Sequence, residues 1–60
     1  MDVFAEAERH GITLESRRLR GTRLMWRWSG DPNLRSPWFF MKGTALAWLE
    51  DEIERGRVPR

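Results

Sequence analysis

All four tryptophans and two of the three phenylalanines of this 60-residue chain fall between residues 22 and 55. A chain this short lies near the size below which burial cannot offset the entropy of ordering, so its core has to be built from that stretch. Residues 22–29 alternate with the period of a strand, placing Leu24, Trp26 and Trp28 on one face and Arg23, Met25 and Arg27 on the other. Residues 37–41 form a second, almost unbroken apolar run, Trp38, Phe39, Phe40 and Met41, and Pro37 suits a strand's first residue or an edge. The pattern leaves open whether Trp38 with Phe40 or Phe39 with Met41 faces inward. Between the runs, Gly30, Asp31, Pro32 and Asn33 predict a turn in which Pro32 fixes φ and Asp31 accepts from the backbone ahead.

Upstream, Asp2 can cap a short helix carrying Val3, Phe4 and Ala7, and Gly11 stands where a left-handed C-terminal residue is wanted. Residues 12–18 then alternate, with Ile12, Leu14 and Ser16 on one face and Thr13, Glu15 and Arg17 on the other. A two-residue loop at Arg20 and Gly21 would set Leu14 beside Arg27 and Trp26 beside Glu15, apolar against charged on both faces. A three-residue loop, with Gly21 in the left-handed position of a bulged hairpin, gathers Ile12, Leu14, Leu24, Trp26 and Trp28 on one side instead. Arg17, Arg23, Met25 and Arg27 then share the other, so this register is the one expected.

Downstream, Thr44 is expected to cap a helix that Gly56 ends and Pro59 keeps from resuming. Its buried stripe is Ala45, Leu46, Leu49 and Ile53, with Trp48 on the flank. Glu50, Asp51, Glu52 and Glu54 fall mostly on the exposed side. The basic tail is expected to be loose. The resulting fold class is α+β in one small domain: a short helix over residues 1–11, a three-stranded antiparallel meander over 12–41, a helix over 44–55 packed on one sheet face, and a tail over 56–60.

Several chemistries are disfavoured by composition. Without cysteine there is no disulfide, thiolate or cysteine-based zinc site. No apolar run approaches a membrane span and no signal peptide is visible, so a soluble protein is expected, with the cytoplasm as default. His10, the only histidine, lies in the last turn of the first helix without a nucleophile or second ligand nearby, which favours a capping or solvated role. The serines Ser16, Ser29 and Ser36 do not make a triad with it. The four acids of the last helix read as a solvated face rather than a metal site. Lys42, Gly43 and Thr44 lack the glycine-rich loop that would precede them in a phosphate-binding motif. Neither catalytic residues, nor a metal site, nor a cofactor is expected.

Charge is unevenly placed. Residues 1–10 carry −2 and residues 44–60 carry −1, whereas residues 11–43 carry +5, and ten of the eleven basic residues are arginine. Arginine presents a planar donor fork to phosphates and carboxylates. The open sheet face formed by Arg17, Arg23, Met25 and Arg27, with Arg20, Arg35 and Lys42 in neighbouring turns, is therefore the candidate contact surface. A ribbon bearing guanidinium groups can lie in a DNA groove or along the backbone, where each phosphate neutralised adds salt-dependent affinity.

From Trp26 to Glu54 the chain resembles the small N-terminal arm-type DNA-binding domains of phage and actinobacterial tyrosine integrases. The resemblance rests on the aromatic-Arg-aromatic strand Trp26, Arg27 and Trp28, the turn at Asp31 and Pro32, the aromatic pair Phe39 and Phe40, and the helix pattern Ala45, Ala47, Trp48, Leu49 and Glu50. It does not extend to the integrase catalytic domain, and the chain has no tyrosine. It implies three strands packed on one helix, with the exposed sheet face reading DNA through Arg23, Arg27 and Arg35. The function expected is thus a non-enzymatic DNA-binding module of phage or mobile-element type. The alternative is a protein-binding module, such as a phage-encoded inhibitor of a host complex, because Trp, Met and Arg dominate interface hot spots. A homodimer through an uncovered third strand would fit the same composition.

Overall fold

Two helices flank one hairpin in the order α1 (Val3–Arg9), β1 (Thr13–Arg18), β2 (Leu24–Ser29) and α2 (Lys42–Glu54) in the computed structural model, which describes residues 2–18, 20, 21 and 23–58. The class is α+β, as the sequence predicts. Thr22, where the second strand is expected to begin, and Pro59 and Arg60 of the tail lie outside the described residues.

Both helices terminate by the same device. Asp2 caps α1 by accepting from the Ala5 amide at 3.2 Å. At the other end Gly11 takes φ 69°, its N–H donates to Glu8, and the Ile12 N–H donates to Ala7 at 2.9 Å. In α2, Gly56 takes φ 78°, its N–H donates to Ile53, and the Arg57 N–H donates to Glu52, each at 3.0 Å. These paired bonds satisfy carbonyls that a helix end leaves open, and they reverse the chain onto the last turn. Ile12 and Val58 are thereby carried into the core, at 2% and 1% exposure.

Three details of the last helix depart from the sequence reading. The tail is not loose, since Val58 is buried and Arg57 pairs with Glu52 at 3.0 Å. Glu52 is itself only 8% exposed rather than solvated, because the returning tail covers it. Thr44 does not cap the helix. The extended chain runs straight into α2, Met41 is the N-cap at φ −125° and ψ 138°, and no side chain bonds the first turn.

The hairpin has the expected register. Leu14 opposes Trp28, Ser16 opposes Trp26 and Arg18 opposes Leu24, while Glu15 opposes Arg27 and Arg17 opposes Met25 on the other face. At the loop both Arg20, at φ 51°, and Gly21, at φ 72°, are left-handed, where only Gly21 is expected to be.

The three-stranded meander is corrected to a two-stranded sheet. Trp26 and Phe39 exchange both backbone bonds, at 2.8 and 2.7 Å, but this is an isolated bridge. Local chemistry explains why pairing stops. In an antiparallel ladder the next bonded pair would join Trp28 to residue 37, and Pro37 has no N–H to offer. The Trp28 amide instead donates to the Ser36 hydroxyl at 3.0 Å, and that hydroxyl donates to the Pro37 carbonyl. In the opposite direction the chain has become the N-cap of α2 by Met41.

The core joins Ala7, Ile12, Trp28, Leu49, Ile53 and Val58, with Val3, Leu14, Leu34, Leu46 and Trp48 packed around them, so it is not confined to residues 22–55 as expected: Ala7, Ile12 and Val58 come from outside that stretch. Trp28 is its largest member, and its indole N–H donates to the Ala45 carbonyl at 2.7 Å, tying β2 to α2. The turn after β2 forms as the sequence predicts, with Leu34 N–H on the Asp31 carbonyl and Asn33 N–H on the Asp31 side chain. Gly30, which leads into it at φ 119°, lies so close to Gly11 that a Cβ there would fall 2.1 Å from the Gly11 carbonyl oxygen.

Candidate nucleic-acid interface

The bridge at Phe39 decides which aromatics face which way. Successive side chains of an extended segment point to opposite faces. Phe39 packs on the helix side, with its ring centre 5.9 Å from that of Trp48 in α2. Trp38 and Phe40 therefore turn to the face that carries the arginines, so of the two inward pairs the sequence pattern allowed only Phe39 of the second packs on the helix, and Met41, the N-cap of α2, is 66% exposed.

On that face each arginine meets a ring. The guanidinium carbon of Arg27 lies 4.6 Å from the Trp38 ring centre, that of Arg17 lies 5.6 Å from the same ring, and that of Arg23 lies 5.5 Å from the Phe40 ring. These separations are within cation–π range. A guanidinium held against a ring keeps its donors in its own plane, and its restricted rotation lowers the entropy lost when those donors engage an anion. Ring contact therefore positions these arginines without consuming their hydrogen-bonding capacity.

Not every arginine is equally free. Arg27 Nε donates to Glu15, its cross-strand neighbour, so part of its charge is answered within the face. Arg17 and Arg23 make no ion pair among the described residues. Glu15 belongs to the same face, though the basic residues alone do not point to it. The signal was present, since the expected register already places Glu15 opposite Arg27.

The remaining sequence-predicted contact residues divide. Met25 lies on this face, half-buried and opposite Arg17. Arg20 is exposed at the hairpin tip, continuous with the face along the loop. Arg35 is exposed between the Asp31–Leu34 turn and Ser36, and no contact among the described residues ties it to the three ring-bound arginines. Lys42 belongs to the opposite side. Its Nζ lies 5.6 Å from both the Phe4 and Trp26 rings, because the first residue of α2 is directed over the helix-facing surface of the hairpin.

Elsewhere, an open apolar cleft of about 550 Å³ separates α1 from β1, lined by Phe4, Ala7, Ile12, Leu14 and Trp28, with Glu8 as its one ionisable wall residue. His10 forms the C-cap of α1 through its backbone, while its Nε2 and the Glu6 Oε2 are buried without a partner among the described residues. Among the described residues no three His, Cys, Asp or Glu are grouped to hold a metal ion, and no helix is long and apolar enough to cross a membrane. No protein-family model matches the chain, and neither does any curated protein or any solved structure.

Proposed function

We propose that this chain is a small non-enzymatic DNA-binding module of phage or mobile-element type, acting in the cytoplasm and contacting phosphates through the arginine face of its hairpin. The observation that carries the reading is the placement of Arg17, Arg23 and Arg27 on one open face, each against an aromatic ring. Three guanidinium groups held in this way suit an extended polyanion better than a single carboxylate ligand. The resemblance of residues 26–54 to integrase arm-binding domains supports the same choice of partner.

Titration of the protein against a labelled mixed-sequence duplex at two salt concentrations tests it. Affinity should fall with salt at a logarithmic slope of about −3 for three neutralised phosphates, and Arg17→Ala or Arg23→Ala should each reduce the slope by about one. Absence of binding to the duplex and to its separated strands at either salt, or slopes unchanged in both variants, overturns the reading.

A protein partner is the second reading, favoured by Phe40 and Met41, consecutive residues that are 61% and 66% exposed. Large apolar groups left uncovered in a chain so short of core suit an interface. Retention of one host or phage protein that Met41→Ser releases, together with indifference to duplex DNA, is the result that would favour it.

A further inference from the structure

The arginines account for phosphate contact and the rings position them, but positioning does not account for how much of Phe40 is left exposed. Phe40 is 61% exposed in a domain near the lower limit of core size, and Trp38 shares its face. A duplex gives such rings little to bind, because its base faces are covered by stacking and only edges and phosphates are presented. An unpaired strand presents the base faces themselves, and aromatic rings interleaved with guanidinium groups are the side chains that take them.

The spacing points the same way. Trp38 and Phe40 are two residues apart on either side of a fully bridged Phe39, so their attachment points are roughly 7 Å apart at the rise of an extended chain. This is about twice the 3.4 Å per nucleotide of a stacked strand. Two rings so placed each take a separate, unstacked base, which a paired helix does not supply.

We infer that the hairpin face prefers single-stranded nucleic acid, stacking unpaired bases on Phe40 and Trp38 while Arg17, Arg23 and Arg27 hold the flanking phosphates. The inference rests on the phosphate-binding reading above and goes beyond it by naming the form of the polyanion. Because the recognised groups are base faces and phosphates, DNA and RNA single strands share the chemistry.

The test measures fluorescence anisotropy of the whole chain with labelled 12-nucleotide oligo-dT, oligo-rU and a 12-base-pair duplex at one low salt concentration. At least tenfold tighter binding of either single strand than of the duplex is expected, and the tighter of the two identifies DNA or RNA as the source. Phe40→Ala removes an exposed side chain and should weaken single-strand binding by roughly tenfold or more, and duplex binding, which loses only the ring that positions Arg23, by less. Trp38→Phe retains a smaller ring and should weaken it less. Equal affinity for duplex and single strands, or a Phe40→Ala variant that binds single strands like the parent, overturns the inference while the phosphate-binding reading stands. Failure to bind any of the three overturns both.

Discussion

The guanidinium carbon of Arg27 lies 4.6 Å from the centre of the Trp38 ring. The contact joins a regular strand to a segment that has only one bridge of its own, and it covers one side of an indole that would otherwise face solvent. The same arginine donates from Nε to Glu15 across the hairpin. It is thus shared between holding the sheet face together and presenting charge on it.

Glu15→Gln should separate these two roles. Losing the carboxylate leaves the ring contact in place and raises the charge of the face by one. For a half-exposed pair the stability change is expected within about 1 kcal/mol. Affinity for nucleic acid should increase and its salt slope should steepen, read in the same titration as the arginine variants. Weaker binding would show that Glu15 serves the face mainly by orienting Arg27.

Gly30→Ala should be among the most damaging single-atom additions in the chain. The new Cβ meets the Gly11 carbonyl oxygen at 2.1 Å, a backbone group that cannot swing aside, at a φ of 119° that side chains avoid. A loss of about 1–3 kcal/mol is expected from backbone strain and overpacking, measurable as a lowered urea midpoint. A midpoint equal to the parent's would mean that the turn relaxes away from Gly11 at no cost.

Val58→Ala tests whether the end of the chain is structural. Removing two buried carbons at about 0.8 kcal/mol each predicts a loss of about 1.5 kcal/mol or more. A loose tail would give a change within about 0.5 kcal/mol. Chemical denaturation distinguishes the two.

Pro37→Val addresses the truncated third strand. The substitution restores the N–H that the ladder needs opposite Trp28, and a β-branched residue suits the position. The amide at residue 37 should become slow to exchange with solvent deuterium. Exchange at the rate of an exposed amide would place the limit elsewhere, at the Ser36 hydroxyl that already occupies the Trp28 N–H.

Features built by groups close in the chain, or by strict alternation, were legible from the residues alone, the cap expected at Thr44 excepted. Asp2 and Gly11 delimit the first helix through groups within a few residues of themselves, and Asp31 and Pro32 build their turn in the same way. The hairpin register follows because a shift by one residue would turn Leu14 and Trp26 against charged partners. That register alone assembles Arg17, Met25 and Arg27 on one face. Tertiary structure decided what depended on the third segment and the chain end. Pro37 and the early start of α2 reduce a predicted strand to one bridge, yet that bridge orients Trp38 and Phe40 toward the arginines. Lys42 is drawn to the other side by the direction of α2, and Val58 is buried by the reversal at Gly56. Each of these outcomes rests on contacts between residues distant in the chain or on competition for a single backbone donor, and neither leaves a periodic mark in the sequence.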